Sequence, residues 1–403
     1  MRILLLSHTG LSSVFRVGSH HLARELSAAG HDVVHVSNPI SLSHVAAVRD
    51  PEVRRRARQA VPLRLHAHEG AAFAVPWSVF PLMPDPLPRP FRLGSGAVLR
   101  RRLAAHWRAL GQDPRRPFDL TLIDQPLLDY LLDDLPVGPV VYRPTDVNVR
   151  PGQIAAEDRV LDRCAGVIAT SGVVAAAIAE RVADRRPDLP VVAVPNGAQI
   201  AAFDVAGPAW EQRRGAVYVG ALDERFDWAA VREMALAVPG EPVDVHGPVT
   251  GPVPDLPPNV AIHGAVPYEQ VPAVFAAHRV GVLPLSEHPT NAGRSPMKLY
   301  EYLAAGLRVV ARRTPALAAV PLADVALYGP PVAGAGESPS TDPDTPAAAG
   351  RAYAHAHAEP PSGDGRVAAR EMDWSFRAAL VLDQAREMTD PARSVGRVGQ
   401  PAG

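Results

Sequence analysis

Short apolar runs alternate along the chain with segments whose apolar residues recur every three to four positions, the pattern of buried strands alternating with amphipathic helices. Arg2 to Ser7 reads as a strand, Ser19 to Ala29 as a helix with Leu22 and Leu26 one turn apart and Gly30 as its stop, and His31 to Val36 as the next strand. This βαβ unit predicts a right-handed crossover and a parallel sheet. From Pro51 to Pro117 the rhythm breaks into Arg- and Pro-rich sequence, with one clear helical stretch, Ala97 to Leu110. It then resumes, with strands at Leu120 to Ile123, Val140 to Tyr142, Gly166 to Thr170 and Val191 to Val194. Helices lie between them, including Gly172 to Val182.

Pro195-Asn196-Gly197 is a turn signal, and a second alternation starts at Ala216 to Val219. Its further strands are Val243 to His246, Val260 to His263, Val280 to Pro284 and Arg308 to Ala311. Trp228 to Leu236, Tyr268 to Ala277 and Met297 to Ala305 read as its helices. Two such runs predict an α/β protein of two Rossmann-like domains, with parallel sheets facing a cleft. The expected boundaries are 1–197 and 209–333, then a flexible loop over 334–370, a helix over 371–389 packing back on the first domain, and a disordered tail over 390–403.

The length of 403 residues independently favours two cores. With aromatics at only 5%, those cores must rest on Val, Leu and Ala. A lone cysteine, Cys164, excludes an internal disulfide and any cysteine-cluster zinc site. No apolar run reaches membrane-spanning length, and Ile3 to Leu6 is too short for a signal peptide, so a cytoplasmic protein is expected. The net charge of −1 hides a basic stretch: residues 49–116 carry 14 arginines against 5 acids. That segment is a candidate for peripheral contact with an anionic membrane, at the inner face of the plasma membrane. Within it, Ala97 to Leu110 reads either as a helix lying on the membrane through Trp107 and its leucines or as an ordinary surface helix. No nucleic-acid partner is expected. Of the 41 basic residues one is lysine, Lys298.

Lys298 lies in the most informative stretch, Ser295 to Gly306. Pro296 suits a helix start and Gly306 a helix stop, so Met297 and Lys298 fall in a first turn with free backbone N–H groups, a ready anion site. A cation in that turn opposes the helix dipole unless an anion binds beside it. Glu301, one turn on, is placed to accept from a ribose diol. The alternative is a surface helix with a weak Lys298–Glu301 pair. In the first half, Asp146 follows a strand in Arg143-Pro144-Thr145-Asp146, at a sheet's carboxyl end where ligands bind. It is either a general base or a cap, and Asp124 is its rival as base. His8, Arg16 and His20 of the first loop are candidate contacts to the hydroxyls or phosphate of a ligand, Arg16 foremost, each weighed against a structural role. The first loop lacks a G-x-G-x-x-G fingerprint, which argues against a dinucleotide oxidoreductase. No Asp-x-Asp pair sits at a strand end: Asp342-Pro343-Asp344 falls in the expected flexible loop, and no catalytic metal is expected.

The pattern P-x-K-x-x-E-Y-x-A-x-G over Pro296 to Gly306 resembles the donor-site signature of GT-B glycosyltransferases. Tyr218-Val219-Gly220-Ala221-Leu222 resembles the strand and glycine turn that open their donor domain. Asn259-Val260 followed by His263-Gly264 and Tyr268 resembles a further segment, and Gly30-His31-Asp32-Val33 the end of their first helix. Among them the chain is most similar to the bacterial exopolysaccharide glucuronosyltransferases of the xanthan type and to teichuronic-acid enzymes. The resemblance implies transfer of a sugar from a nucleotide sugar, such as UDP-glucuronate, to an acceptor hydroxyl on a glycan or lipid-linked oligosaccharide. It implies a donor site at Gly220, Arg225, Ser295, Met297, Lys298 and Glu301, acceptor contacts at Arg16 and His20, and Asp146 as base. The nucleotide sugar is a co-substrate, and no cofactor is expected. Gly293 stands where many retaining relatives carry a glutamate, and Ala221 to Trp228 holds Arg225 but no lysine, so an inverting reaction is expected. A UDP-sugar epimerase and a non-catalytic glycan-binding protein are the alternative readings.

Overall fold

The computed structural model describes residues 1–13, 15–47, 49–61, 64–82, 96–205, 207–319, 323–331 and 346–390. The chain divides into two compact units: Met1–Val194 together with the chain from Ala378 onwards, and Pro195–Arg377.

The first unit contains strands β1 (Arg2–Leu6), β2 (Asp32–Val36), β3 (Ile40–Ser41), β4 (His66–His68), β5 (Ala71–Ala74), β6 (Trp77–Ser78), β7 (Leu120–Ile123), β8 (Val140–Tyr142), β9 (Gly166–Ala169) and β10 (Val191–Ala193). Eight of them form one sheet in the order β10-β9-β8-β7-β1-β2-β5-β4, parallel except where β4 runs antiparallel to β5. β3 and β6 pair separately. β1 is buried along its whole length, because helices cover both faces of such a sheet. Leu4, Leu6, Val34, Ile123 and Val167 share a core with Leu99, Leu103 and Trp107 of the helix Gly96–Ala109. That settles the alternatives for this helix. Trp107 is 1% exposed and packs edge-on against Phe118, so its apolar side belongs to the core and is not free to enter a membrane.

The second unit is a six-stranded parallel sheet, β13-β12-β11-β14-β15-β16, built from β11 (Arg214–Val219), β12 (Val243–His246), β13 (Val260–His263), β14 (His278–Leu283), β15 (Arg308–Arg312) and β16 (Val325–Tyr328). One face packs on the helix Met297–Ala304 through Leu299, Tyr302 and Leu303. The other packs on the helix Trp228–Ala237 through Val231 and Met234. Further helices, one on each side of the sheet, correct the expected flexible loop over 334–370. Within its described part, Pro346–Ala358 and Asp364–Arg370 are helices, and Ala349, Tyr353 and Ala356 are fully buried in the core beside Met234. The Ala-, Gly- and Pro-rich composition concealed a helix that stands on tertiary packing rather than on its own periodicity. The expected tail lies, from residue 391 on, outside the described residues. The last described helix, Trp374–Thr389, begins in the second unit and ends in the first, where Met388 fills the space left by Gly166 of β9.

In both sheets the strand order reverses direction beside the first strand, between β1 and β7 and between β11 and β14. Ligands bind in such sheets at the carboxyl ends of the strands flanking that reversal.

Candidate functional site

In the second unit this position is built from three loops and one helix start. Gly220 follows β11, and its N–H donates to His246 O at 2.9 Å. Gly247 approaches so closely, at φ 149°, that a Cβ there would lie 1.7 Å from Gly220 O. A Cβ on Gly220 would meet the Tyr218 hydroxyl at 2.6 Å and Lys298 Cε at 3.1 Å, so both glycines are needed to bring these loops beside the lysine. Arg225 is held by Asp223, which accepts from its backbone N–H and from Nε, both at 3.0 Å. Burial favours the protonated acid at Asp223, but these bonds and the charges of Arg225 and Arg294 hold its pKa below the usual carboxylate value. Asn291, 2% exposed, donates to Arg225 O and Ser286 O and ties the loop after β14 to the loop after β11.

The helix Met297–Ala304 follows that loop, and no side chain caps its start. Lys298 and Glu301 lie one turn apart. Burial lowers the Lys298 pKa to about 8, against the pull of Glu301 and with the push of Arg294 and Arg225. Burial raises Glu301 to about 7, although Lys298 and the Tyr268 hydroxyl, donating at 3.2 Å, both stabilise its charge. Three cations thus converge on a helix start, facing two carboxylates, Asp223 and Glu301. An incoming diphosphate would balance the excess. Met297 occupies the first helical position, half-buried. Ser295 plays a different part. Its Oγ and carbonyl oxygen accept from Asn196 N and Nδ2, holding the Pro195-Asn196-Gly197 turn.

In the first unit the corresponding position gathers Ser7 and His8 after β1, Asp124 after β7, and Arg143 to Asp146 after β8. His8 Nδ1 lies 3.7 Å from Asp124 Oδ1, and the His8 side chain is 43% exposed while that of Asp124 is 9% exposed. Desolvation by the surrounding protein works against a charge on His8, but Asp124, with Asp146 adding its charge, outweighs it and raises the pKa above 6.5. Arg143, 2% exposed, sets a buried guanidinium charge toward Asp124, and its pKa falls to about 10 through burial. Asp146 is half-buried and accepts from Thr145 Oγ1 at 3.2 Å.

The two expected acceptor contacts are otherwise engaged. Arg16 reaches His68 Nε2 at 3.1 Å and Glu69 at 3.5 Å, bracing the β4–β5 turn. His20 is 3% exposed; its Nδ1 accepts from Val17 N at 3.3 Å and its Nε2 donates to Thr9 O at 3.2 Å. It secures the first loop from beneath, and burial with the charge of Arg16 lowers its pKa to about 4. Among the described residues, no group of three or more His, Cys, Asp or Glu is arranged to hold a metal ion, and Asp342-Pro343-Asp344 lies outside them.

Sequence reasoning overlooked Tyr268 as the partner of Glu301 and Asp223 as the anchor of Arg225. The D-x-R spacing after the glycine turn was a usable signal for the second. It also overlooked His246 and His263, whose rings stack at 4.4 Å at the ends of β12 and β13. Their equal register across a strand pair is visible only once the sheet is built.

Residues 191–359, which contain the Lys298 site, match a family model described as glycosyl transferase-like. The fold class is GT-B, because solved structures of that class match nearly the whole chain. Sucrose-phosphate synthase from Thermosynechococcus elongatus matches with a TM-score of 0.60 at 17% identity, covering 96% of this chain and 98% of that one. The α,α-trehalose 6-phosphate synthase of Burkholderia multivorans matches with a TM-score of 0.60 at 15% identity over 100% and 99%. Anabaena HepE, in its complex with UDP-glucose, matches with a TM-score of 0.58 at 14% identity over 95% and 100%. No curated protein matches in sequence.

Proposed function

We propose that this protein is a glycosyltransferase that moves a sugar from a UDP-sugar to an acceptor hydroxyl with inversion. The observation that carries this reading is the convergence of Lys298, Arg225 and Arg294 on an uncapped helix start at the strand-order reversal of the second unit. It lies within the segment that matches the glycosyl transferase-like model. That HepE has been solved with UDP-glucose supports a UDP-sugar as the anion. UDP-glucuronate as donor, and a lipid-linked oligosaccharide of cell-surface polysaccharide as acceptor, are the finer form of the proposal. Among the described residues no helix is long and apolar enough to cross a membrane. Contact with an anionic membrane is assigned to the exposed arginines of 49–116, such as Arg54, Arg55 and Arg100 to Arg102.

In the reaction the acceptor oxygen bonds to the anomeric carbon as the bond from that carbon to the phosphate oxygen breaks. UDP leaves with the bonding pair. Lys298, Arg225 and Arg294 neutralise the leaving diphosphate, and the reading requires no metal for this. The acceptor proton goes to His8 Nε2, with Asp124 stabilising the imidazolium that forms. An imidazole titrates in the range a general base needs, whereas Asp124 Oδ1 is too buried to meet a substrate itself. Asp146 is the second candidate for the proton.

Calorimetric titration of the full chain with UDP tests the donor site, and absence of binding overturns it. UDP release in a panel of UDP-sugars and glycan acceptors tests the reaction. Loss of turnover in His8→Ala with retention in Asp146→Asn is expected, and the reverse result makes Asp146 the base.

A further inference from the structure

Behind the His8–Asp124 pair, a line of polar side chains runs into the protein. Ser7 Oγ donates to Asp124 Oδ2 at 2.9 Å, Ser7 Oγ and Ser19 Oγ are 2.7 Å apart, and Ser19 Oγ is 3.1 Å from His35 Nε2. Ser7 and His35 are fully buried and Ser19 is 5% exposed.

Donor and acceptor arithmetic fixes every proton along this line. An ionised carboxylate only accepts, so Ser7 gives its single hydroxyl proton to Asp124. Ser7 can then only accept from Ser19, whose own proton is thereby used. Ser19 in turn only accepts, so His35 must carry its hydrogen on Nε2. His35 Nδ1, the other ring nitrogen, is buried without a hydrogen-bond partner among the described residues, so the tautomer is set by the bond at Nε2. Burial, with the charges of His20 and His8, holds His35 well below its ordinary pKa, so the ring stays neutral. Asp124 Oδ1, also buried and without a hydrogen-bond partner among the described residues, is left as the oxygen nearest His8 Nδ1.

We propose that His35, Ser19 and Ser7 are positioning residues, a one-way hydrogen-bonded chain that clamps Oδ2 of Asp124 and so presents Oδ1 to His8. The wiring stands on these distances; its meaning for catalysis rests on His8 being the proton acceptor in sugar transfer. Other charged groups also face this pair. Asp146 acts on His8, Arg143 on Asp124 from the end of β8, and His20, backed by Arg16, from the helix Gly18–Ala28. The chain's contribution is orientation: without it the carboxylate is free to rotate, and the His8 imidazolium loses a fixed partner.

The test uses the full chain labelled with ¹⁵N-histidine, with His8 and His35 assigned from the signals lost in His8→Gln and His35→Gln. The expected wild-type spectrum shows His35 as the Nε2–H tautomer from pH 6 to 8, and His8 titrating above 6.5. In Ser7→Ala the His8 midpoint falls by about 0.5 to 1 pH unit, and in Ser19→Ala by less in the same direction. Thermal midpoints verify that each variant is folded, and Ser19→Ala carries the test if Ser7→Ala does not fold. A His35 proton on Nδ1, or an unmoved His8 midpoint in a folded variant, overturns the chain. UDP release from UDP-glucose by His8→Ala separates the two readings. If that variant keeps wild-type turnover while the spectra behave as expected, the wiring stands and the role of His8 in transfer falls. If turnover is lost but the spectra do not respond to Ser7→Ala, the chain alone falls.

Discussion

Replacing Lys298 by methionine separates what this side chain does for the fold from what it does for a ligand. Its ammonium is held at a pKa of about 8 rather than 10.5, chiefly by burial and against the help of Glu301. Keeping it charged at pH 7 therefore works against folding by about 3 kcal/mol, or about 1–2 kcal/mol after allowance for its partial exposure. Methionine fills a similar volume without that charge. Glu301, already near neutrality at about 7, becomes the protonated acid once the lysine is gone. The unliganded variant is therefore expected to melt no lower than wild type, and up to roughly 2–8 °C higher. UDP binding should move the other way. Loss of one charge-assisted bond to the diphosphate removes about 1.5–3 kcal/mol, a weakening of roughly 10- to 150-fold. Wild-type affinity should also decline as pH rises through about 8, because an unprotonated Lys298 has nothing to offer the diphosphate. Calorimetry and differential scanning fluorimetry read both effects on one preparation. Unchanged UDP affinity would show that Lys298 does not meet the diphosphate. A fall in melting temperature would show that Lys298 and Glu301 are a structural pair instead.

Three further outcomes follow from buried groups. Trp107→Ala removes a ring that packs on Phe118, donates to Asp32 at 3.1 Å and lies under the Arg2 guanidinium, so urea unfolding should show a loss of about 3–5 kcal/mol, and binding to anionic vesicles should not change. His20 titrates near pH 6.5 when unfolded but only near 4 when folded, so between those values the unfolded chain binds more protons and stability falls as pH falls. About 2 kcal/mol of this penalty is reached by pH 5, and His20→Gln should remove that share of the slope in urea midpoints compared between pH 7.5 and 5. Gly281→Ala sets a Cβ 2.3–2.6 Å from ring atoms of Tyr302, which is fully buried, and should destabilise the second unit by at least about 2 kcal/mol while weakening UDP binding through the helix that carries Lys298.

The alternation of buried strands was legible because each strand of a parallel sheet must be apolar on both faces. Leu120–Ile123, Val140–Tyr142 and Val243–His246 were read to the residue. The edge strand β4 and its neighbour β5 were missed because they fall inside the Arg- and Pro-rich segment: His66 to His68 carries no apolar pattern, and the short run Ala71 to Val75, although bounded by Gly70 and Pro76, is mostly alanine, which favours helices over strands. The site divided along the same line. Lys298 and Glu301 announce themselves through helix spacing and a rare residue type. Ser7, Ser19 and His35 do not, because a strand end, a helix start and a neighbouring strand meet only in the folded sheet, and serine carries no signal of its own. His20 misled for the opposite reason: a histidine beside an arginine-bearing loop looks like a ligand contact until both nitrogens are found bonded to backbone.

The helix Trp374–Thr389 sets an order of events during synthesis. The first unit is not a continuous stretch of chain: after Val194 the ribosome must make the whole second unit before the segment beginning at Ala378 exists. Until then β9 lacks Met388, the side chain that fills the gap at Gly166. The second unit, continuous from Pro195 to Arg377, can close first even though it is made later, and the first is finished only as the last helix emerges. A fragment ending at Val194 is thus an unfinished unit, whereas Pro195–Arg377 holds a whole core and the entire Lys298 cluster.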